Sequence, residues 1–166
     1  MSASTSLHPC ARCAAMQRTC CQRAEILVTE GDVERIAAHT GSRSFFERRA
    51  PTDPGYLDAD EDDPNWLRYT VGTDGTRRVL KRQPNGDCSF LGAAGCTLAV
   101  ETRPLVCRLY PFAYNEKGLF GEDSEYCPTK VLAPRGQPMT EVLDIPSTDG
   151  QRWHRQLYEE LQNGSA

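Results

Sequence analysis

Cys10-Ala-Arg-Cys13, followed after six residues by Cys20-Cys21, places four of the chain's eight cysteines within twelve residues. A C-x-x-C turn lets two sulfurs converge on one ion, at about 2.3 Å each for zinc, which is why this spacing recurs in metal knuckles. Two ligands do not close a site. The thiols to complete it stand far along the chain, at Cys88, Cys96, Cys107 and Cys127. A shared ion would therefore tie the N-terminus to the C-terminal half. Adjacent Cys20 and Cys21 diverge on an extended backbone, so either one serves each of two sites or only one of the pair ligates.

The 166 residues fit one domain, 1–166, long enough to bury a core without metal. Nineteen basic against 23 acidic residues, with pI near 5.4, argue against a surface dominated by attraction to phosphate, so no nucleic-acid partner is expected. The first nine residues have neither the basic start nor the apolar run of a signal peptide, and no stretch approaches the roughly 18 apolar residues of a membrane span. The expectation is a cytoplasmic protein with no membrane partner, in a reducing compartment where thiols serve as metal ligands or catalytic groups more often than as disulfides. His8, His39 and His154 are all remote from the cysteines in sequence, and no base is paired with a nucleophile, so the residues favour metal binding over enzyme catalysis. Arg12, Arg18, Arg23, Arg103 and Arg108 lie beside cysteines, where they either offset the charge of a thiolate cluster or are ordinary solvated arginines.

Local patterns predict a small α+β domain of short hairpins and helices organised around a cysteine metal cluster. Residues 24–28 read as a strand. Thr29, with Asp32 three residues on, reads as the cap of a helix over 30–40 that Gly41 ends. A second short helix is expected from Ser42 to Arg49, and a plain exposed acidic loop from Pro51 to Pro64. Trp66–Val71 and Val79–Arg82 flank Gly72-Thr-Asp-Gly75 as a candidate hairpin, with Arg77, Arg78, Lys81 and Arg82 as a basic patch. The loop Gly92–Gly95, with Thr97–Val100 read as a strand, brings Cys96 back towards Cys88. Pro104 opens a short helix over 105–110 in which Cys107 lies near the first turn. Phe112–Tyr114 and Leu119-Phe120 form another hairpin, residues 133–146 read as a linker, and Trp153, Leu157 and Leu161 give a docking stripe to a terminal helix that ends near residue 163.

The order Cys10-x-x-Cys13, Cys20-Cys21, Cys88-Ser-Phe-Leu91, Cys96, Glu101-Thr-Arg103-Pro104-Leu-Val-Cys107-Arg108-Leu-Tyr110-Pro111 and Cys127-Pro128 resembles the YkgJ-like cysteine-cluster family over residues 10–128. The gap between Cys13 and Cys20 is longer than that family usually shows. The resemblance implies chelation of zinc or iron by the eight cysteines, with an iron–sulfur cluster as one form and a structural or redox role. A similar cysteine module in flagellin lysine methylases implies, as the alternative, a component of iron–sulfur-dependent protein methyl transfer. The partner implied is the metal ion, and no protein partner is identified.

Overall fold

A computed structural model describes residues 10, 12, 13, 25–58 and 60–164. It is an α+β arrangement of short helices and three two-stranded antiparallel sheets. Helix α1 (Glu30–Thr40) begins as its sequence dictates: the Asp32 N–H donates to Thr29 Oγ1 at 2.9 Å and the Thr29 N–H donates to Asp32 Oδ2 at 3.0 Å. Gly41 closes it at φ 73°, a left-handed conformation glycine adopts without strain. The residues before it run extended rather than as a full strand. Leu27 bridges Val79, the Val28 N–H reaches the Arg78 carbonyl and the Leu80 N–H reaches the Ile26 carbonyl, so this segment lies alongside the next sheet.

That sheet departs from expectation. Ser42–Arg49 is not helical. Thr40, Ser42 and Ser44 satisfy one another through side-chain hydrogen bonds, as hydroxyls do in turns, and Phe46–Arg49 then forms strand β1. Its partner is β2 (Arg77–Leu80), with Phe46 opposite Leu80 and Arg49 opposite Arg77. The expected hairpin around Gly72–Gly75 is likewise replaced, because Trp66–Thr70 forms helix α2. Three residues apart on that helix, Trp66 and Tyr69 pack against the same apolar cluster as Tyr158. The turn survives, with Gly75 at φ 77°, but joins a helix to a strand.

Two charge readings also change. Arg77 is buried rather than part of an exposed patch, and the like-charged cross-strand pair Arg49 and Arg77 shares Glu25, at 2.9 and 2.6 Å. The acidic loop holds a short 3-10 turn at Pro54–Leu57, and its Asp63 is buried, taking the Tyr158 hydroxyl at 2.5 Å.

Strands β3 (Leu91–Gly92) and β4 (Gly95–Cys96) form a tight hairpin with Leu91 opposite Cys96. Thr97–Val100 does not continue as a strand; Val100–Thr102 is a 3-10 turn that leads to α3 (Leu105–Leu109). The β5 (Phe112–Asn115) and β6 (Gly118–Glu122) hairpin forms as expected. After α4 (Thr129–Leu132), the stretch read as linker contains α5 (Met139–Val142), with Met139 almost wholly buried. Helix α6 (Ser147–Asn163) buries Trp153, Leu157, Tyr158 and Leu161 against Leu105 and Leu109 of α3, each such side chain worth about 2 kcal/mol of transfer free energy. Gly150 lets the same helix lie close to the β5–β6 hairpin, since a Cβ there would stand 2.7 Å from the Phe112 ring.

One polar network joins these helices. Asp32 Oδ1 accepts the Leu105 N–H of α3 at 3.1 Å and Arg35 Nη2 at 2.7 Å; Arg35 Nη1 reaches Glu160 of α6 at 2.6 Å, and Thr29 Oγ1 donates to Glu160 as well. Asp32→Ala is therefore expected to cost about 3–5 kcal/mol, because two backbone N–H groups and a guanidinium lose a buried partner; urea unfolding measures it. Burial works to raise Glu160, but donation from Arg35 and Thr29 holds it below the ordinary carboxylate range. Its contribution to stability is thus present above the unfolded value, about 4.3, and is lost as pH falls through the lower folded value. Glu160→Gln should flatten the acid limb of a stability-versus-pH curve and lower stability at neutral pH.

Candidate metal centre

Each thiol is delivered by a local device. Pro84-Asn-Gly86 turns the chain, the Gln83 N–H meets the Asp87 carbonyl, and Arg82 bridges Cys88, so that Cys88 enters the core. Gln83 Nε2 fixes that turn by donating to the Cys88 carbonyl at 3.1 Å. The β3–β4 hairpin carries Cys96, and α3 carries Cys107, whose N–H donates to the Pro104 carbonyl. Cys127 closes a turn with its N–H on the Ser124 carbonyl. At the other end of the chain, Cys10 and Cys13 stand in helical backbone.

All six described cysteines, Cys10, Cys13, Cys88, Cys96, Cys107 and Cys127, line one cavity of about 490 Å³. They come from two apolar groups. Cys88 is buried at 5% exposure with Cys96 and Cys107 packed on the same cluster, next to Val28, Ile36 and Leu98. Cys13, 8% exposed, packs with Leu132, Ala133 and Met139, and Cys127 joins that group. Cys10 is exposed. Among the described residues no three His, Cys, Asp or Glu side chains stand close enough together to hold one ion. Cys20 and Cys21 lie outside the described residues.

The donor chemistry fits zinc or iron. Soft sulfurs predominate, and most of the remaining wall is aliphatic or aromatic, including Phe90, Leu98, Val106 and Tyr114. Burial pushes the Cys127 thiol up; Tyr110, at 3.8 Å from its sulfur, pulls the other way, and the nearby Cys13 and Glu122 add to the rise. A metal ion would have to displace that proton to gain the thiolate. Burial likewise pushes the Tyr114 phenol up and keeps it neutral.

Two of the arginines beside the cysteines, Arg103 and Arg108, have other work than the sequence suggested, while Arg18 and Arg23 lie outside the described residues. Arg108 is neither solvated nor turned to sulfur: buried, it donates to the Arg103 carbonyl at 2.8 Å, the Glu101 carbonyl at 2.6 Å and the Glu101 carboxylate at 3.2 Å. Arg103 donates to the Leu98 carbonyl at 2.9 Å while also lining the cavity. These bonds brace the loop between Cys96 and Cys107. Tyr110, which the sequence reading quoted in the family-like run without giving it a role at the site, meets the Cys127 sulfur directly; no local spacing links it to a cysteine 17 positions on.

A profile of the CxxCxxCC family, described as "Putative zinc- or iron-chelating domain", matches residues 9–128, and the chain belongs to that family. Metal binding in general is supported by that membership. No curated protein and no solved structure matches the chain. Among the described residues no helix is long and apolar enough to cross a membrane.

Arg108→Met should keep much of the buried volume while removing the donors to two carbonyls. The expected cost is about 2 kcal/mol, read by urea unfolding, and the loss of bracing should make the Cys96 and Cys107 thiols react faster with a thiol reagent.

Proposed function

We propose that the chain binds zinc or iron through thiolates drawn from Cys10, Cys13, Cys20, Cys21, Cys88, Cys96, Cys107 and Cys127, as one domain of 166 residues in a reducing cytoplasm, with a structural or redox role. The observation that carries the reading is the convergence on one cavity of cysteines spread from position 10 to position 127. Thiols delivered by a helix, a hairpin, a turn and the N-terminal segment have no shared packing reason to face the same space. Apolar walls make an uncompensated thiolate costly there, whereas a bound cation stabilises it.

Ligation on this reading draws the thiols inward from the cavity walls, so binding is coupled to conformation. Eight thiolates divide equally well into two four-sulfur zinc sites or two iron–sulfur clusters. The shared chemistry is soft-metal chelation, and the role follows from which metal is held: zinc is redox-inert and would brace the fold, whereas a cluster would carry electrons.

Anaerobic purification with elemental analysis tests the proposal. At least one zinc or iron per chain is expected, with acid-labile sulfide and broad visible absorbance for a cluster and a colourless protein for zinc. A folded, metal-free chain that takes up neither metal would overturn it. Cys107→Ser barely changes size but removes a soft ligand, so it should give substoichiometric metal and a lower Tm. Full metal content with unchanged melting would remove Cys107 from the ligand set.

A further inference from the structure

Tyr110 follows directly on α3 and spans from the Cys107 side of the cavity to the Cys127 side. Its hydroxyl oxygen accepts the Tyr126 N–H at 2.9 Å and, with its proton in place, the Cys127 thiol at 3.8 Å. When that sulfur holds the metal it has no proton left to donate, and the phenol's own proton is then the one that can bridge the two atoms. The two tyrosine rings pack at 6.0 Å between centroids, which fixes the hydroxyl laterally. The base of the side chain is fixed as well. The Tyr110 N–H donates to the Val106 carbonyl, α3 is held at Leu105 by Asp32, and Arg108 ties the helix to the preceding loop. The hydroxyl is thus held in place by residues that are not themselves thiols.

We propose that Tyr110 is a positioning residue of the metal centre, orienting Cys127 and donating a hydrogen bond to its sulfur when that sulfur holds the metal. The inference rests on the reading of Cys127 as a ligand. A donor to a metal-bound thiolate withdraws electron density from the sulfur, which weakens its charge donation to the metal and, in a cluster, raises the reduction potential. Phenylalanine at the same position keeps the ring and loses both hydrogen bonds.

The test titrates the full-length apo-protein with cobalt(II), whose thiolate-to-metal charge-transfer bands report electron density on sulfur, in the wild type, Tyr110→Phe, Cys127→Ser and the double variant. Tyr110→Phe is expected to keep the wild-type cobalt stoichiometry and shift the band to longer wavelength. Cys127→Ser should lose part of the band intensity, and the second substitution should add no further shift on that background. An unshifted band in Tyr110→Phe, with Cys127→Ser still losing intensity, overturns the role of Tyr110 and leaves Cys127 a ligand. A Cys127→Ser spectrum identical to wild type overturns the ligand reading and this inference with it. Should Tyr110→Phe fail to fold, the wild type in H₂O and D₂O decides. A band that shifts on deuteration in the wild type but not in Cys127→Ser supports the proposal, and one that does not shift overturns it.

Discussion

The carboxylate of Asp32 has no solvent exposure, and its two oxygens accept from the Thr29 N–H, the Leu105 N–H and Arg35. Burying an ion without partners costs several kcal/mol, so the charge confines every donor around it to a narrow geometry. Burial pushes Asp32 up, against the pull of Thr29 and Arg35. The same group that caps α1 thereby sets where α3 begins, 73 residues later. Since α3 delivers Cys107 and leads into Tyr110, the thiol side of the molecule inherits its alignment from a carboxylate that belongs to no thiol cluster. Through Arg35 the constraint extends to Glu160, so α6 is held at one end by charge and along its length by apolar packing.

Around the cavity, the division of labour among charged groups is plain. Guanidinium groups brace backbone: Arg108 and Arg103 are committed to carbonyls of the loop that separates Cys96 from Cys107. Among the residues that line the cavity with the sulfurs, most are aromatic or aliphatic, and the Tyr110 phenol meets the Cys127 sulfur. A poorly solvated thiol holds its proton, as burial makes Cys127 do, and releases it to solvent most readily when a metal cation takes its place on the sulfur.

What could be read from sequence was what depends on neighbours in sequence. The capping box at Thr29 and Asp32, the Asn115–Gly118 turn, Pro104 ahead of α3 and the stripe of Trp153, Leu157 and Leu161 all carry local signatures, and each was found where those signatures placed it. The β1–β2 pairing carries none. Its arginines face one another across the sheet, tolerable because Glu25 lies between Arg49 and Arg77, and nothing near position 46 announces a partner near position 80. Trp66 and Tyr69 suited a strand until their shared packing face on Tyr158 was known. At the site, cysteine spacing pointed to common purpose among distant thiols, and six of them share a cavity. Their division between two packing groups, the tertiary duty of Asp32 and the reach of Tyr110 to Cys127 all depend on long-range contacts that spacing cannot encode.

The match to the cysteine family stops at residue 128, yet α6 lies wholly beyond it. That helix covers Leu105 and Leu109, the apolar side of the helix that bears Cys107, and supplies Glu160 to the polar network. A boundary drawn from shared cysteines would therefore cut through a hydrophobic contact rather than around one. A fragment ending there would retain every cysteine but expose two leucines that the whole chain hides, and it would be prone to self-association for reasons unrelated to metal. The chemistry and the insulation that protects it are written in different parts of the chain, so recombining the cysteine segment with another C-terminal partner would require that partner to present an apolar stripe of similar width.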